Sequence, residues 1–156
     1  MRLPREEAFA LAREMAAANQ ETTAFYRFAD FEHYYPRRLR TDALLHARFV
    51  ALGGRPVEKH PLSFVLQGSG FLERWFDHGL ITRIPLGQIP SDFISFTYGD
   101  SMTMLQQNGA FTMLTKETLL KTIADYQGSL EDFFAEIADR FNYIEVQVWN
   151  DACITL

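Results

Sequence analysis

The feature that most constrains the fold of this chain is a change of apolar period near residue 142. Between residues 130 and 141 the apolar side chains recur every three or four positions, as they do on one face of a helix. Between residues 143 and 149 apolar and polar residues alternate, which is the period of a half-buried strand. The apolar helical set is Leu130, Phe133, Phe134, Ile137, Ala138 and Phe141. A helix that leads into a strand predicts an α+β fold.

The alternation in this last strand also separates two kinds of side chain. Ile144, Val146 and Val148 face one side and should contact the core. Glu145 and Gln147 then lie on the opposite face. Tyr143 and Trp149 share that face, so two aromatic rings stand beside a carboxylate and an amide. Such a face is either the floor of a ligand site or a surface covered by another element.

Other segments predict further elements around this unit. A helix should start at Arg5 after Pro4, because Ala8, Leu11, Ala12, Met15 and Ala16 follow at helical spacing. Residues 43–52, 71–78, 116–126 and 130–141 also have helical spacing or helix caps. Pro36 should end a short turn that begins at Asp30, or open the next one. Residues 22–28, 62–66, 80–86, 92–98 and 143–149 are typical of strands. Residues 100–114 are ambiguous, because Asp100 favours a helix start and Asn108-Gly109 favours a hairpin. We expect a short helix there, followed by a strand over 111–114.

The length and composition limit the organisation of the chain. A chain of 156 residues suits a single domain, and 47% hydrophobic residues suffice for a core. Helices and strands follow each other without regular alternation. We therefore predict one α+β domain spanning residues 1–156, with a mixed, mostly antiparallel sheet packed by amphipathic helices.

The cysteine content and the charged N-terminal residues bear on location. The single cysteine, Cys153, cannot form a disulfide within the chain, which favours a reducing compartment. The first twenty residues carry charges that interrupt any apolar segment, and no later segment has about 20 consecutive apolar residues. We expect a cytoplasmic protein that does not enter a membrane.

The charge of the chain is unevenly distributed. The formal net charge is −5, which argues against nucleic-acid binding. Residues 26–60 nevertheless hold seven basic and four acidic side chains. This basic segment could steer a small anionic ligand or an acidic protein partner, or it could pair with the acidic remainder of the chain. We expect Arg37, Arg38 and Arg40 to face solvent.

The same segment interleaves aromatic and cationic residues. Tyr26 and Arg27 lie in one such run, and Tyr34 lies in the next. Aromatic rings beside arginines are typical of nucleotide binders, although core aromatics beside solvated arginines give the same pattern. Tyr26, Arg27 and Tyr34 are therefore candidate ligand-binding residues.

The remaining local motifs are short. Gly68-Ser69-Gly70 lies between a predicted strand and a predicted helix, so Ser69 and Gly70 are candidates for anion binding through backbone N–H groups. Ser69 acting only as a helix N-cap explains the same residues. The four histidines are scattered, so we expect no metal site. No motif indicates a particular cofactor.

Three residues on predicted strands resemble the ADP-ribosyltransferase-like fold. Arg27, Ser63 and Glu145 occur in the order in which that family places an arginine, a serine and a glutamate around an NAD cleft. The resemblance implies that Arg27 and Ser63 hold the dinucleotide and that Glu145 supports the ribosyl cation as it forms. Gln147 and Trp149 would line the same pocket.

Three functional hypotheses follow from the sequence. The first is a binding or interaction module for a small anionic ligand or an acidic partner through residues 26–60. The second is an NAD-binding enzyme of the ADP-ribosyltransferase type, with Glu145 as its catalytic residue. The third is a structural protein without a small ligand.

Overall fold

The computed structural model describes residues 3–19, 21 and 24–154, without the side chain of Arg27. Within these described residues, six α-helices and four strands follow one another. The helices are α1 (Arg5–Ala18), α2 (Phe31–Ala51), α3 (Gly70–Trp75), α4 (Ser101–Asn108), α5 (Lys116–Ala124) and α6 (Leu130–Phe141). The strands are β1 (Leu62–Val65), β2 (Ile94–Tyr98), β3 (Met113–Thr115) and β4 (Ile144–Val148). Short 3₁₀ helices span Phe25–Asp30, Leu86–Gln88, Ser91–Phe93 and Asp151–Cys153.

The four strands form one antiparallel sheet in the order β1-β4-β2-β3. The last strand of the chain, β4, is therefore central and pairs on both sides. Its Gln147 lies opposite Ser63 on β1 and opposite Ser95 on β2. Directly opposed residues in a sheet point to the same face, so this register brings polar side chains from three strands together. The α+β prediction is confirmed, with every strand pair antiparallel.

The apolar face of the sheet carries the main core. Val146 and Phe96 lie opposite each other at its centre, and α5 and α6 cover them with Leu119, Phe133 and Ile137. Phe133 and Ile137 are buried, as their helical spacing predicted. Phe134 and Phe141 belong to the same predicted apolar face, but they are only half-buried at the margin of this core.

The opposite face of the sheet is covered by α2. Leu45 and Phe49 of this helix pack against Trp149 and Met113 in a second core. Glu145 and Gln147 lie beneath the same helix and are buried. Both faces of β4 are thus covered, so the fold is a helix–sheet–helix sandwich.

Local interactions define both ends of α6, the helix that precedes the change of period near residue 142. Ser129 and Asp132 form a reciprocal capping box at the start of the helix. At its end Asn142 adopts a positive φ of 67°, a region that asparagine tolerates better than most residues. The chain then turns directly into β4.

The strand predicted over residues 22–28 is wrong. Thr22 and Thr23 lie outside the described residues, and Phe25–Asp30 is a 3₁₀ helix. The three-residue spacing of Phe25, Phe28 and Phe31 lets successive rings contact each other, at centroid distances of 6.0 and 5.7 Å. Aromatic packing therefore overrides the β propensity of this segment.

The prediction that Pro36 ends a turn is also wrong. The helix α2 begins at Phe31 and continues through Pro36, although proline removes one helical hydrogen bond. Phe31, Leu45 and Phe49 are all buried along this helix. Their burial stabilises the longer helix by more than the lost bond costs.

Two further segments differ in how well the sequence predicted them. Residues 79–85 have no regular secondary structure, so the strand predicted over 80–86 is absent. The side chain of Leu80 is 99% exposed, and Pro85 lacks the N–H that a ladder requires.

Residues 100–114 form a short helix followed by a strand, as expected, because Asp100 caps α4 and Gly109 ends it before β3.

In the part of the chain that the structure describes, every helix is too short or too polar to cross a membrane.

Candidate functional site

A chain of polar side chains crosses the sheet on the face beneath α2. The Trp149 Nε1 donates to Ser95 Oγ at 2.9 Å, and Ser95 Oγ donates to Gln147 Oε1 at 2.9 Å. Gln147 Nε2 then donates to Thr97 Oγ1 at 3.0 Å. All four residues are buried. These bonds fix the Gln147 amide and satisfy groups that would otherwise destabilise the interior.

The helix α2 adds a charged pair above this chain. Arg38 and Asp42 lie four residues apart on the buried side of the helix, with Nε and Oδ1 separated by 2.8 Å. Arg38 Nη2 donates to Ser63 Oγ at 3.2 Å, and its Nη1 lies 3.9 Å from Glu145 Oε1. One guanidinium therefore joins α2, β1 and β4.

Two further groups hold the carboxylates in place. His60 belongs to the loop that leads through Pro61 into β1, and its Nδ1 lies 2.8 Å from Asp42 Oδ2. The backbone N–H of Ser101 donates to Glu145 Oε2 at 2.8 Å. Ser101 is the first residue of α4, so the positive end of that helix dipole also stabilises the Glu145 carboxylate.

Two tyrosines border the same charged groups. Burial raises the pKa of Tyr34; the Arg38 charge opposes this, and nearby carboxylates including Asp100 reinforce it. Burial also raises the pKa of Tyr143, as do the charges of Asp100 and Glu145. We call Tyr34, Arg38, Asp42, Ser63, Asp100, Tyr143 and Glu145 the polar cluster.

Arg38 is the cation of this cluster. Burial acts to lower the pKa of Arg38, but the carboxylates of Asp42 and Glu145 outweigh burial and raise it. The guanidinium therefore stays charged. The polar cluster contains three carboxylates, those of Asp42, Asp100 and Glu145, and one guanidinium. It therefore carries more acidic than basic groups.

Tyr143 gives a pH dependence that can be measured. Its pKa in the folded protein lies above the value near 10 in an unfolded chain. Above about pH 10 the folded state therefore retains a proton that the unfolded state loses, and stability falls as the pH rises. We expect the Tyr143→Phe variant to lose stability less steeply than the wild type above pH 10 in urea unfolding. Equal slopes would contradict the assigned environment of Tyr143.

A cavity of about 330 Å³ opens beside the polar cluster. Tyr34, Arg38, Asp42 and Ser63 supply polar groups to its lining. The apolar part of the lining comes from α1, from the aromatic 3₁₀ helix and from the start of α2, and includes Leu11, Met15, Phe28 and Phe31. Ser63 is exposed, so the polar side of the cavity is reached from solvent.

The structure brings together only some of the residues that the sequence singled out. Ser63 and Glu145 both contact Arg38, and Tyr34 borders the cavity beside them. Gln147 and Trp149 lie in the buried hydrogen-bond chain rather than in an open cleft.

The other candidates lie elsewhere. Tyr26 is exposed on the 3₁₀ helix. The backbone of Arg27 belongs to that helix and not to a strand, and its side chain lies outside the described residues. Ser69 Oγ accepts a hydrogen bond from the Leu72 backbone N–H as the N-cap of α3, and Gly70 is the first residue of that helix. The helix-cap explanation therefore accounts for Ser69.

The expectation that Arg37, Arg38 and Arg40 all face solvent was wrong for Arg38. Arg37 and Arg40 are exposed, whereas only 13% of the Arg38 side chain is accessible. Residues on a helix point in directions that depend on their position, so Arg38 points inward while Arg37 and Arg40 point outward.

Sequence reasoning missed Arg38, Asp42 and Asp100 as members of the site. The available signal was the Arg38–Asp42 pair at four-residue spacing. This signal becomes visible only when residues 31–51 are assigned to one helix. In residues 3–19, 21 and 24–154, no three His, Cys, Asp or Glu side chains are grouped so that they could hold a metal ion.

Comparison with known proteins gives no match to a family model, a curated protein or a solved structure.

Proposed function

We propose that this chain is a binding module for a small ligand that has a polar head group and an apolar body. The observation that carries the proposal is the cavity whose lining joins Arg38 and Ser63 to the apolar wall of α1. Its volume of about 330 Å³ lies at the lower end of the range of small-molecule sites, about 300–1,000 Å³. Apolar walls with few convergent polar groups are typical of such sites.

The contacts of Arg38 bear on the head group. Its three nitrogens face Asp42, Glu145 and Ser63. A carboxylate or phosphate entering the cavity would have to displace one of these partners and would approach other carboxylates. An uncharged or amine head group can instead hydrogen-bond to the exposed Ser63 hydroxyl without disturbing the guanidinium. The charge balance therefore favours an alcohol, an amide or an amine over the small anion that the basic segment predicts.

The proposal can be tested by a thermal-shift screen over compounds that share an apolar body and differ in head group. The series comprises alcohols, amides, amines and carboxylates of matched chain length. A ligand present at 100 times its dissociation constant should stabilise the folded state by about 2.7 kcal/mol. We expect the largest stabilisation from alcohols, amides or amines.

Two variants on α1 test whether the ligand binds in the cavity. Leu11 lines the cavity, and Leu11→Trp should fill it and remove the ligand-dependent stabilisation. Ala10 is the neighbouring exposed residue outside the lining, so Ala10→Trp is the matched control and should leave the stabilisation intact. If the compound still stabilises Leu11→Trp, the ligand binds at a site other than this cavity. A screen without any response would reject the binding module.

A second candidate function is NAD binding with ADP-ribosyl transfer. It is supported by one contact pattern, in which an arginine joins Ser63 and Glu145, although the arginine is Arg38 and not Arg27. Only 3% of Glu145 is exposed, so a dinucleotide would have to open the contact with Arg38 to reach it. NAD therefore belongs in the same screen, with release of nicotinamide as the readout that separates an enzyme from a binding module.

A further inference from the structure

The two outer helices of the sandwich carry opposite charges on their exposed sides. On α2 the exposed residues at helical spacing are three arginines, one leucine and two alanines, which we call the basic stripe. It consists of Arg37, Arg40, Leu44, Ala47, Arg48 and Ala51. The only acidic residue between positions 33 and 57 is Asp42, which is buried. The basic stripe therefore has no carboxylate of its own.

On α6 the corresponding exposed side is acidic. Glu131 and Asp139 lie on it with Ala135 and Ala138 between them, and we call these four residues the acidic stripe. Asp132 is excluded because it caps the helix through Ser129. Within the described part of the chain, Arg40, Arg48, Glu131 and Asp139 have no ion-pair partner within 4.0 Å.

The two stripes cannot meet within one molecule. The buried side of α2 packs on the face of the sheet that carries Glu145 and Trp149. The buried side of α6 packs on the opposite face, against the core around Val146. The basic stripe and the acidic stripe thus point outward from opposite sides of the sandwich.

The charges on the two stripes have matching spacing. Arg40 and Arg48 are eight residues apart, and so are Glu131 and Asp139. Eight residues of helix span about 12 Å, so both pairs can align at once. Two alanines lie between the charges of the acidic stripe, and Leu44 and Ala47 lie between Arg40 and Arg48, so the leucine side chain has room against the alanines when the helices approach.

We propose that the basic stripe docks on the acidic stripe of a second copy of this chain. With the helices antiparallel, Arg40 meets Asp139 and Arg48 meets Glu131, and Leu44 packs among the alanines of the partner's α6. In the antiparallel arrangement the dipoles of the two helices also point in opposite directions, which is favourable. Because each copy uses a different stripe, the contact is head-to-tail and leaves one stripe free at each end for further copies. The net charge of −5 disfavours a nucleic acid as the occupant.

Analytical ultracentrifugation of the full chain tests this contact. At about 0.02 M salt we expect the weight-average mass to rise with concentration above the 18.0 kDa of one chain. At about 1 M salt, where charges are screened beyond about 3 Å, the mass should return to that of one chain. A wild type that stays monomeric at millimolar concentration and low salt overturns the proposal, whether or not it then binds an acidic peptide or an oligonucleotide.

Charge reversal on each stripe makes the test specific. Arg40→Glu/Arg48→Glu and Glu131→Arg/Asp139→Arg should each be monomeric, because each lacks one of the two surfaces. An equimolar mixture of the two variants should associate again, because the intact acidic stripe of one variant is complementary to the intact basic stripe of the other, and the two reversed stripes are complementary as well. Self-association of either variant alone, or no association in the mixture, contradicts the assigned contact.

A matched control separates the stripes from net charge. Arg5→Glu/Arg13→Glu changes the charge of α1 by the same amount at exposed positions and should associate as the wild type does. Thermal unfolding of every variant checks that each is folded, and the α6 variant keeps the test valid should the α2 variant not fold. Loss of association in the α1 control would attribute the effect to net charge and overturn the proposal.

Discussion

Replacement of Arg38 by methionine is expected to lower the free energy of unfolding by about 3–5 kcal/mol. Methionine retains much of the length of the side chain but removes the charge that faces Asp42 and Glu145. Both carboxylates are buried, at 1% and 3% exposure, so water cannot replace the guanidinium. The cost is that of leaving buried carboxylates without their cation, which exceeds the net value of the ion pair itself. Urea unfolding with a fitted slope measures it.

The neighbouring residue provides the control. Arg37 is exposed on the same helix, so Arg37→Met should change the free energy of unfolding by less than about 0.5 kcal/mol. The Arg38→Met variant leaves two carboxylates without their cation, and the double variant Arg38→Met/Glu145→Gln removes the charge of one of them. The double variant should therefore be less destabilised than the sum of its single variants. Equal effects of Arg37→Met and Arg38→Met would show that Arg38 does not compensate the buried carboxylates.

Elements with a strong local signal could be predicted from the sequence. The helix α6 has an apolar face, a capping box and an asparagine at its end, and the strand β4 alternates without interruption. These signals agree with each other at every level, so tertiary packing does not need to override any of them. The opposite orientations of Glu145 and Val146 followed from the same alternation.

Elements whose conformation depends on packing could not be predicted. Residues 25–28 have the composition of a strand, but contacts among neighbouring rings decide their conformation, as in the Phe25–Phe28 pair at 6.0 Å and the Phe28–Phe31 pair at 5.7 Å. Residues 80–84 also favour a strand, yet they pair with neither edge strand of the sheet, β1 or β3. Strand propensity reflects packing on a half-buried surface, and neither segment has that surface.

One misplaced helix boundary explains why Arg38 and Asp42 of the polar cluster were missed. The sequence placed the start of α2 near Ala43, after Pro36, which left Arg38 in a loop. In the structure the helix begins at Phe31, and its phase turns Arg38 and Asp42 inward while Arg37 stays outside. Ser63 and Glu145 could be assigned to one face from strand alternation, but the arginine that joins them depends on a helix that runs through a proline.

The polar cluster is also where the fold departs from the simplest solution for a core. Apolar side chains in place of Asp42 and Glu145 would avoid the cost of burying carboxylates beneath a helix. Sites where a sequence departs from local rules of burial are often sites of function. Asp42 both departs from these rules and lines the cavity.

Replacement of Trp149 by alanine is expected to lower the free energy of unfolding by about 3–5 kcal/mol. Trp149 is fully buried between the sheet and α2, where its ring stacks on Phe49 at a centroid distance of 5.7 Å. Its indole N–H also begins the hydrogen-bond chain through Ser95. The variant therefore combines a large cavity with a Ser95 hydroxyl that loses its donor.

Trp149→Phe separates the two contributions, because it keeps an aromatic ring against Phe49 and removes only the N–H. We expect it to cost less than Trp149→Ala, with a loss of about 1–3 kcal/mol from the unsatisfied polar group. The chain has two tryptophans, so a Trp75→Phe background leaves Trp149 as the sole indole fluorophore. Its emission should be that of an indole shielded from water and should shift to longer wavelength only in the main unfolding transition. Emission of a solvated indole in the folded protein would contradict the packing of α2 on this face of the sheet, and with it the position of Arg38 above Glu145.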